Sequence, residues 1–203
     1  MNRKSNIAIL ILAAGGSTRM GSPKQLLKWK QTTLIGHTIA TAQKLELSKT
    51  IIVLGANYNS IKTKIERYQV ETLINKDWRS GLGNSIAFGV RSILECNLDL
   101  DGVLVILADQ PLVDTAYLNS LIKAFEIGKR QIIASAYKEN KQGVPVLFDK
   151  FYFKELSQLN DDKGAKAILQ KYANKAIGMN AEGLVSDIDT LDDYKKLYNS
   201  NHQ

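Results

Sequence analysis

The sequence predicts an α/β fold, a three-layer α/β/α sandwich built on a mostly parallel sheet, and three observations carry that expectation. Short apolar runs alternate with longer stretches of helical spacing along nearly the whole chain, as in strand–helix–strand units. The runs at residues 7–13 and 103–108 are continuously apolar, as expected of central strands buried on both faces. Each of these two runs leads into an unusual polar segment, and in such sheets ligands gather at the carboxyl ends of the strands.

Further strands are expected at residues 50–54, 71–74 and 132–136, with shorter ones at 144–148 and 176–179. Helical spacing occupies residues 34–46, 60–68, 84–95 and 115–127, and again 150–159, 163–171 and 191–197. A chain of 203 residues suits one domain, expected over residues 1–198, with residues 199–203 expected as a disordered tail.

Composition narrows the function classes. Cys96 is the single cysteine, so neither an intrachain disulfide nor a cysteine-built metal site is available. The basic start followed by an apolar run at residues 7–14 imitates a signal peptide. The run is too short to span a bilayer and leads into Gly-Gly-Ser-Thr-Arg, so it reads as a first buried strand. A cytoplasmic protein without membrane contact is expected. The net charge of +7 comes from Lys and Arg scattered among Asp and Glu, with no basic block and no aromatic interleaving. No nucleic-acid partner is therefore expected, while a basic balance suits a site that gathers phosphorylated substrates.

The most informative stretch is residues 12–27, Leu-Ala-Ala-Gly-Gly-Ser-Thr-Arg-Met-Gly-Ser-Pro-Lys-Gln-Leu-Leu. Glycines directly after a buried strand let backbone amides approach a phosphate chain. Arg19 can fork onto two oxygens and Lys24 supplies a point charge. Ser22-Pro23 stands where a Walker loop needs Lys-Ser/Thr, and the Gly-x-Gly-x-x-Gly fingerprint is absent. Pro23 keeps the loop extended toward Lys24.

Three later segments add to it. Residues 75–86 read as a loop entering a helix, with Asn84 or Ser85 as the cap. Asp109 follows a long apolar strand and is fixed by Pro111, at the edge where ligands bind. In residues 185–194, Asp187 and Asp189 point to the same side if the chain is extended, and Thr190 with Asp193 resembles a capping box. Capping accounts for Thr190, Asp192 and Asp193 but leaves Asp187 unexplained. No histidine lies beside these motifs in sequence: His37 falls in a helical stretch and His202 in the tail.

Together these segments resemble the nucleotidylyltransferases with a glycosyltransferase-A-like fold, and more narrowly the branch containing molybdenum cofactor cytidylyltransferase. Gly81-Leu82-Gly83-Asn84-Ser85 resembles that family's Gly-Leu-x-x-Ser, and Ala108-Asp109-Gln110-Pro111 its Gly/Cys-Asp-Met/Gln-Pro. Residues 187–194 resemble Asp-Ile-Asp-Thr-Pro-Glu-Asp-Tyr, with Leu191 and Asp192 replacing Pro and Glu. The likeness runs over about residues 7–194, and four motifs in the same order make it specific. It implies that Ala13 and Ala14 approach the base and that Gly15, Gly16, Arg19 and Lys24 handle the triphosphate. It also implies that Gly81 and Ser85 face base and ribose, whereas Gly83 and Asn84 occupy more variable positions. Asp109 is implied as a ligand of Mg²⁺, with Asp187 chosen as the second carboxylate and Asp189 in reserve. Residues 142–148 and 161–166, by themselves a turn before an edge strand and a helix start, resemble segments lining the pocket of a second substrate.

The resemblance thus implies transfer of CMP from CTP to the phosphate of molybdopterin-type molybdenum cofactor, with transient contact to a molybdoenzyme or its maturation factor. GTP in place of CTP, a sugar, polyol or choline phosphate as acceptor, and a non-catalytic cofactor-delivery protein are the competing expectations. An anionic phosphate nucleophile needs no general base, so Asp109, Arg19 and Lys24 are expected to act by positioning and charge.

Overall fold

The computed structural model describes residues 3–137 and 141–201. Strand β1 (Ile7–Ala13) is followed by a short hairpin of β2 (Lys28–Trp29) and β3 (Thr32–Thr33), which the sequence pattern did not reveal. Then come α1 (Leu34–Gln43), β4 (Lys49–Leu54), α2 (Tyr58–Ile65), β5 (Glu71–Ile74), α3 (Leu82–Glu95) and β6 (Gly102–Leu107). The remainder is α4 (Thr115–Lys123), β7 (Ile132–Ala136), β8 (Gln142–Asp149), α5 (Phe153–Leu156), α6 (Lys166–Lys171), β9 (Ala176–Asn180) and α7 (Leu191–Asn201).

Seven strands form one sheet in the order β5-β4-β1-β6-β8-β7-β9, with β8 alone antiparallel to its neighbours. The expected mostly parallel α/β sheet is therefore present, and the two most apolar strands, β1 and β6, lie side by side at its centre. Strand alternation divides the core in two. Ile7, Ile9 and Ile11 face Ile35 and Ile39 of α1, Ile61 of α2 and Leu118 and Leu121 of α4. Ala8, Leu10 and Leu12 face Ile86 and Val90 of α3, Phe153 and Leu156 of α5, and Ile168 of α6. Helices thus cover both faces, and every ligand-bearing loop discussed below leaves the same edge.

Strand β8 corrects an expectation. Residues 142–148 read as a turn before an edge strand, the kind of strand in which a proline, unable to donate to a ladder, is most readily placed. Instead β8 lies inside the sheet between β6 and β7, and Pro145 sits where the β7 register jumps from Ala134↔Val146 to Ser135↔Gly143. The bulge removes the demand for an amide at Pro145. The carbonyl of Pro145 accepts from Ser135 Oγ (2.7 Å), whose own oxygen accepts from Tyr117. Pairing with β6 stops at Val105↔Val146, so the first half of β8 splays away from Ile106 and Leu107 and leaves a hollow.

The C-terminal segment also departs from expectation. Residues 199–201, expected in a disordered tail, belong to α7, while residues 202–203 lie outside the described residues. The reciprocal box is formed: Asp193 N donates to Thr190 Oγ1 (3.1 Å) and Thr190 N to Asp193 Oδ2 (2.9 Å). Tyr194 then donates to the Lys28 carbonyl (2.8 Å), and Tyr194, Leu197 and Tyr198 pack on the small core around Trp29. The helix is held by tertiary contact, which its polar composition conceals. No helix among the described residues is long and apolar enough to cross a membrane.

Candidate active site

The loop after β1 is braced from below. Gln25, buried, donates its side-chain amide to the carbonyls of Ala13 (3.2 Å) and Gly15 (3.0 Å). Ser17 takes a left-handed conformation (φ 51°), and its hydroxyl accepts from the Lys24 amide (3.0 Å). With the carbonyls turned to Gln25, the amides of Gly15 and Gly16 have no acceptor among the described residues. Adjacent amides of this kind can receive an anion. Gln25 was not singled out in the sequence, because a glutamine in a polar stretch carries no sign of burial.

Gly15 is instructive. Its φ is not positive, and a Cβ built on it would meet nothing within 4 Å. Neither backbone strain nor packing requires glycine there, so the space it leaves belongs to the cleft. Gly15→Ala is therefore expected to leave the thermal unfolding temperature near that of the parent while weakening triphosphate binding about tenfold, from lost or lengthened amide–phosphate bonds. Calorimetric titration beside a melting curve checks both. A variant that unfolds early, or that binds normally, would remove this assignment.

Lys24 and Arg19 converge on acids at the same edge. The Lys24 ammonium pairs with Asp109 Oδ2, reaches Asp189 Oδ1 at 3.3 Å and donates to the Ile188 carbonyl at 3.0 Å. Arg19 reaches Asp189 Oδ2 at 3.2 Å. Burial alone would lower the Lys24 ammonium, but Asp109 and Asp189 outweigh it and hold it above its ordinary value. Burial pushes the Asp109 carboxyl up, Lys24 opposes that, and the charge of Asp187 adds to the rise.

Asp187 and Asp189 take different side-chain partners on either side of Ile188. Between them Ile188 is buried in the core around Trp29, and its amide donates to the Asp109 carbonyl (3.3 Å). The segment is not part of a strand, and both carboxylates flanking Ile188 stay near Asp109, Asp189 through the shared Lys24 and Asp187 through its charge. Asp189 joins Lys24 and Arg19, whereas Asp187 accepts from Gln110 Nε2 (2.8 Å). The reserve residue is the one that shares a cation with Asp109. Among the described residues no three acidic, histidine or cysteine side chains gather as a metal cage. A cation held by Asp109 and Asp189 would thus complete its shell from phosphate oxygens and water, as hard divalent ions commonly do.

Two hollows adjoin here, one lined by Asp109 and the other by Asp187. The first, about 360 Å³, is walled by Ala13, Ala14, Gly15, Lys24, Gly81 and Ser85, with Asp109 at one end. Every expected nucleotide-binding residue except Gly16 and Arg19 lines it, and these two flank it from the same loop. The second, about 320 Å³, lies in the gap left by β8 and is bordered by Gln110, Tyr137, Gln142, Lys163, Lys166 and Asp187. Leu82 and Leu107 belong to both walls. Burial, and then the charge of Asp187, hold the Tyr137 phenol protonated well above its ordinary value.

The helix expected to start at Asn84 starts at Leu82, with Gly81 (φ 104°) before it and no side-chain cap. Neither Asn84 nor Ser85 caps it. Asn75, buried, donates to Asn84 Oδ1 (2.9 Å) and Ser85 Oγ (3.2 Å), fixing Ser85 at the cleft wall. Gly83 has a steric role that the motif reading passed over: its amide donates to the Asp161 carbonyl (2.8 Å), and a Cβ would meet that oxygen at 2.8 Å. The 161–166 segment thereby docks on the start of α3, and its Lys163 and Lys166 border the second hollow. His37, remote in sequence, also reaches this region, its Nε2 lying 3.1 Å from the Pro111 carbonyl.

Known proteins share this architecture. Nicotine blue oxidoreductase of Paenarthrobacter nicotinovorans is 28% identical over 200 residues, covering 93% of this chain and 94% of its own. Purine catabolism protein PucB of Bacillus subtilis (strain 168) is 27% identical over 198 residues, covering 91% and 92%. Among solved structures, Rv0371c of Mycobacterium tuberculosis H37Rv superposes with a TM-score of 0.82 at 28% identity, over 98% of this chain and all of that one. A second structure of Rv0371c, in complex with manganese, gives 0.78 at 26% identity, over 97% and 100%. CTP:phosphocholine cytidylyltransferase of Streptococcus pneumoniae shares the fold at 17% identity, with a TM-score of 0.73 over 97% and 99%. Over residues 9–176 the chain matches the family described as MobA-like NTP transferase domain, and to that nucleotidyltransferase family it belongs.

Proposed function

We propose that the protein is a divalent-metal-dependent cytidylyltransferase that transfers CMP from CTP to the terminal phosphate of molybdopterin-type molybdenum cofactor. The observation that carries the reading is the Lys24 ammonium held between Asp109 and Asp189 beside the free amides of Gly15 and Gly16. A cation already bridges the two carboxylates, and an anion cradle adjoins them. That donor set suits Mg²⁺, and the manganese complex of the relative Rv0371c supports a divalent ion here. Asp109 and Asp189 would hold it; bound there, it would offset charge on the phosphates.

The residues divide the work. Ala13, Ala14, Gly81 and Ser85 receive base and ribose, and the Gly15 and Gly16 amides with Arg19 and Lys24 receive the triphosphate. Lys163, Lys166 and Gln142 suit an anionic acceptor in the second hollow. An oxygen of the acceptor phosphate forms a new bond to the α-phosphorus of CTP while the bond to pyrophosphate breaks, and Lys24 with Arg19 balances the leaving charge. The nucleophile is already anionic, so no protein group need take a proton. Leu82 and Leu107, common to both walls, bound the line of attack.

The test is a panel of the four triphosphates against molybdopterin and sugar, polyol and choline phosphates, read as pyrophosphate release with Mg²⁺ or Mn²⁺. Release from CTP with molybdopterin is expected. Release with another base or acceptor would replace the substrate assignment. Tight binding without turnover would replace transfer by cofactor or nucleotide delivery.

A further inference from the structure

Arg79 stands outside the motifs that define the site, in the short turn Trp78–Ser80 between β5 and α3. Its neighbour Trp78 is wedged beneath the cradle. A Cβ on Gly16 would come within 3.0 Å of the Trp78 ring, and one on Gly55 within 2.5 Å of its Cβ. Those glycines leave the room that the indole occupies. Trp78 therefore forms a rigid part of the wall of the first hollow, and Arg79 lines the same hollow beside Gly81 and Ser85.

The guanidinium carbon of Arg79 lies 4.7 Å from the centroid of the Trp78 ring. Stacking of this kind holds the planar fork in one orientation at little entropic cost. Among the described residues no carboxylate pairs with Arg79. Arg79 is exposed, so beyond its stacking on Trp78 it adds little to the packing of the fold, and its removal opens no cavity.

Its place in the cleft decides what it touches. Arg19 and Lys24 serve the phosphate end, whereas Arg79 precedes Gly81 by two residues, on the wall assigned to base and ribose. Guanidinium donates and cannot accept. Cytosine, uracil and guanine carry an exocyclic carbonyl oxygen, and adenine carries none.

We propose that Arg79 donates from its guanidinium to a carbonyl oxygen of the base, so that this side chain selects carbonyl-bearing triphosphates over ATP. The inference rests on the nucleotide reading of the first hollow. The experiment is calorimetric titration of the full chain and of Arg79→Met and Arg79→Lys with CTP, UTP, GTP and ATP, each with Mn²⁺. Arg79→Met is expected to weaken the preferred carbonyl-bearing triphosphate about tenfold and ATP by less than about twofold, closing the gap between them. Arg79→Lys should keep the charge, recover only part of the affinity and restore little of the discrimination. Equal weakening of all four nucleotides, no weakening at all, or a parent chain without preference against ATP would overturn the role of Arg79 and leave the nucleotide site standing. A parent chain that binds no triphosphate would overturn the nucleotide reading itself.

Discussion

Asp109→Ala is expected to lower pyrophosphate release by about a thousandfold or more, the loss typical of removing a group that organises charge at a reacting phosphate. Asp109 follows the end of β6 by two residues at the sheet centre, and its carboxylate is 13% exposed. The rigid strand below and the buried Pro111 after it leave the carboxylate little freedom. The fold should survive. Lys24 retains Asp189 and the Ile188 carbonyl as partners, so no isolated buried charge is created. The Ile188 amide bonds the backbone carbonyl of residue 109, which alanine keeps. Unfolding should therefore shift by no more than about 1–2 kcal/mol, well below the cost of orphaning a buried ion. Near-normal turnover in a folded variant would remove Asp109 from the site; collapse of the fold would make it structural. Asp109→Asn, which keeps shape and loses charge, separates the two effects.

How far the sequence foretold this arrangement depends on which forces placed each residue. The positions of β1, β6 and the loops after them were legible, because unbroken apolar runs and Gly or Pro punctuation report burial and chain direction locally. The capping box at Thr190 and Asp193 was legible for the same reason. The different partners of Asp187 and Asp189 were not, since Gln110, Lys24 and Arg19 reach them only through tertiary contacts. The interior place of β8 was hidden because its Pro145 is accommodated by a bulge against β7, about ten residues away in the chain. Gln25, Asn75 and Gly83 work through long-range contacts to Ala13, Ser85 and Asp161 that no local pattern announces. The polar face of α7 hid a docked helix, since Tyr194, Leu197 and Tyr198 touch only the small Trp29 core.

Lys24→Met should produce two effects of opposite sign, which makes it the more discriminating substitution. Lys24 is the cation that reaches both acids and one of two side-chain cations at the phosphate end, so triphosphate affinity should fall about ten- to a hundredfold, as for loss of a charge-assisted phosphate contact. Binding of the acceptor in the second hollow should change less, because Lys163 and Lys166 border it and Lys24 does not. In the nucleotide-free parent, however, the ammonium occupies the space between Asp109 and Asp189 and competes with any divalent ion for those oxygens. A methionine of similar length lacks that charge. The two carboxylates then face each other with Arg19 alone nearby on the Asp189 side. Mn²⁺ or Mg²⁺ should consequently raise the melting temperature of Lys24→Met by more than that of the parent, since a ligand stabilises in proportion to its affinity for the folded state. Weaker metal stabilisation in the variant would mean that Lys24 helps to bind the ion instead of standing in its place, and equal loss of both substrates would detach Lys24 from the triphosphate. If both expected signs appear, exchange of Lys24 from carboxylate to phosphate is the step that couples metal entry to nucleotide binding, and this one side chain serves both states.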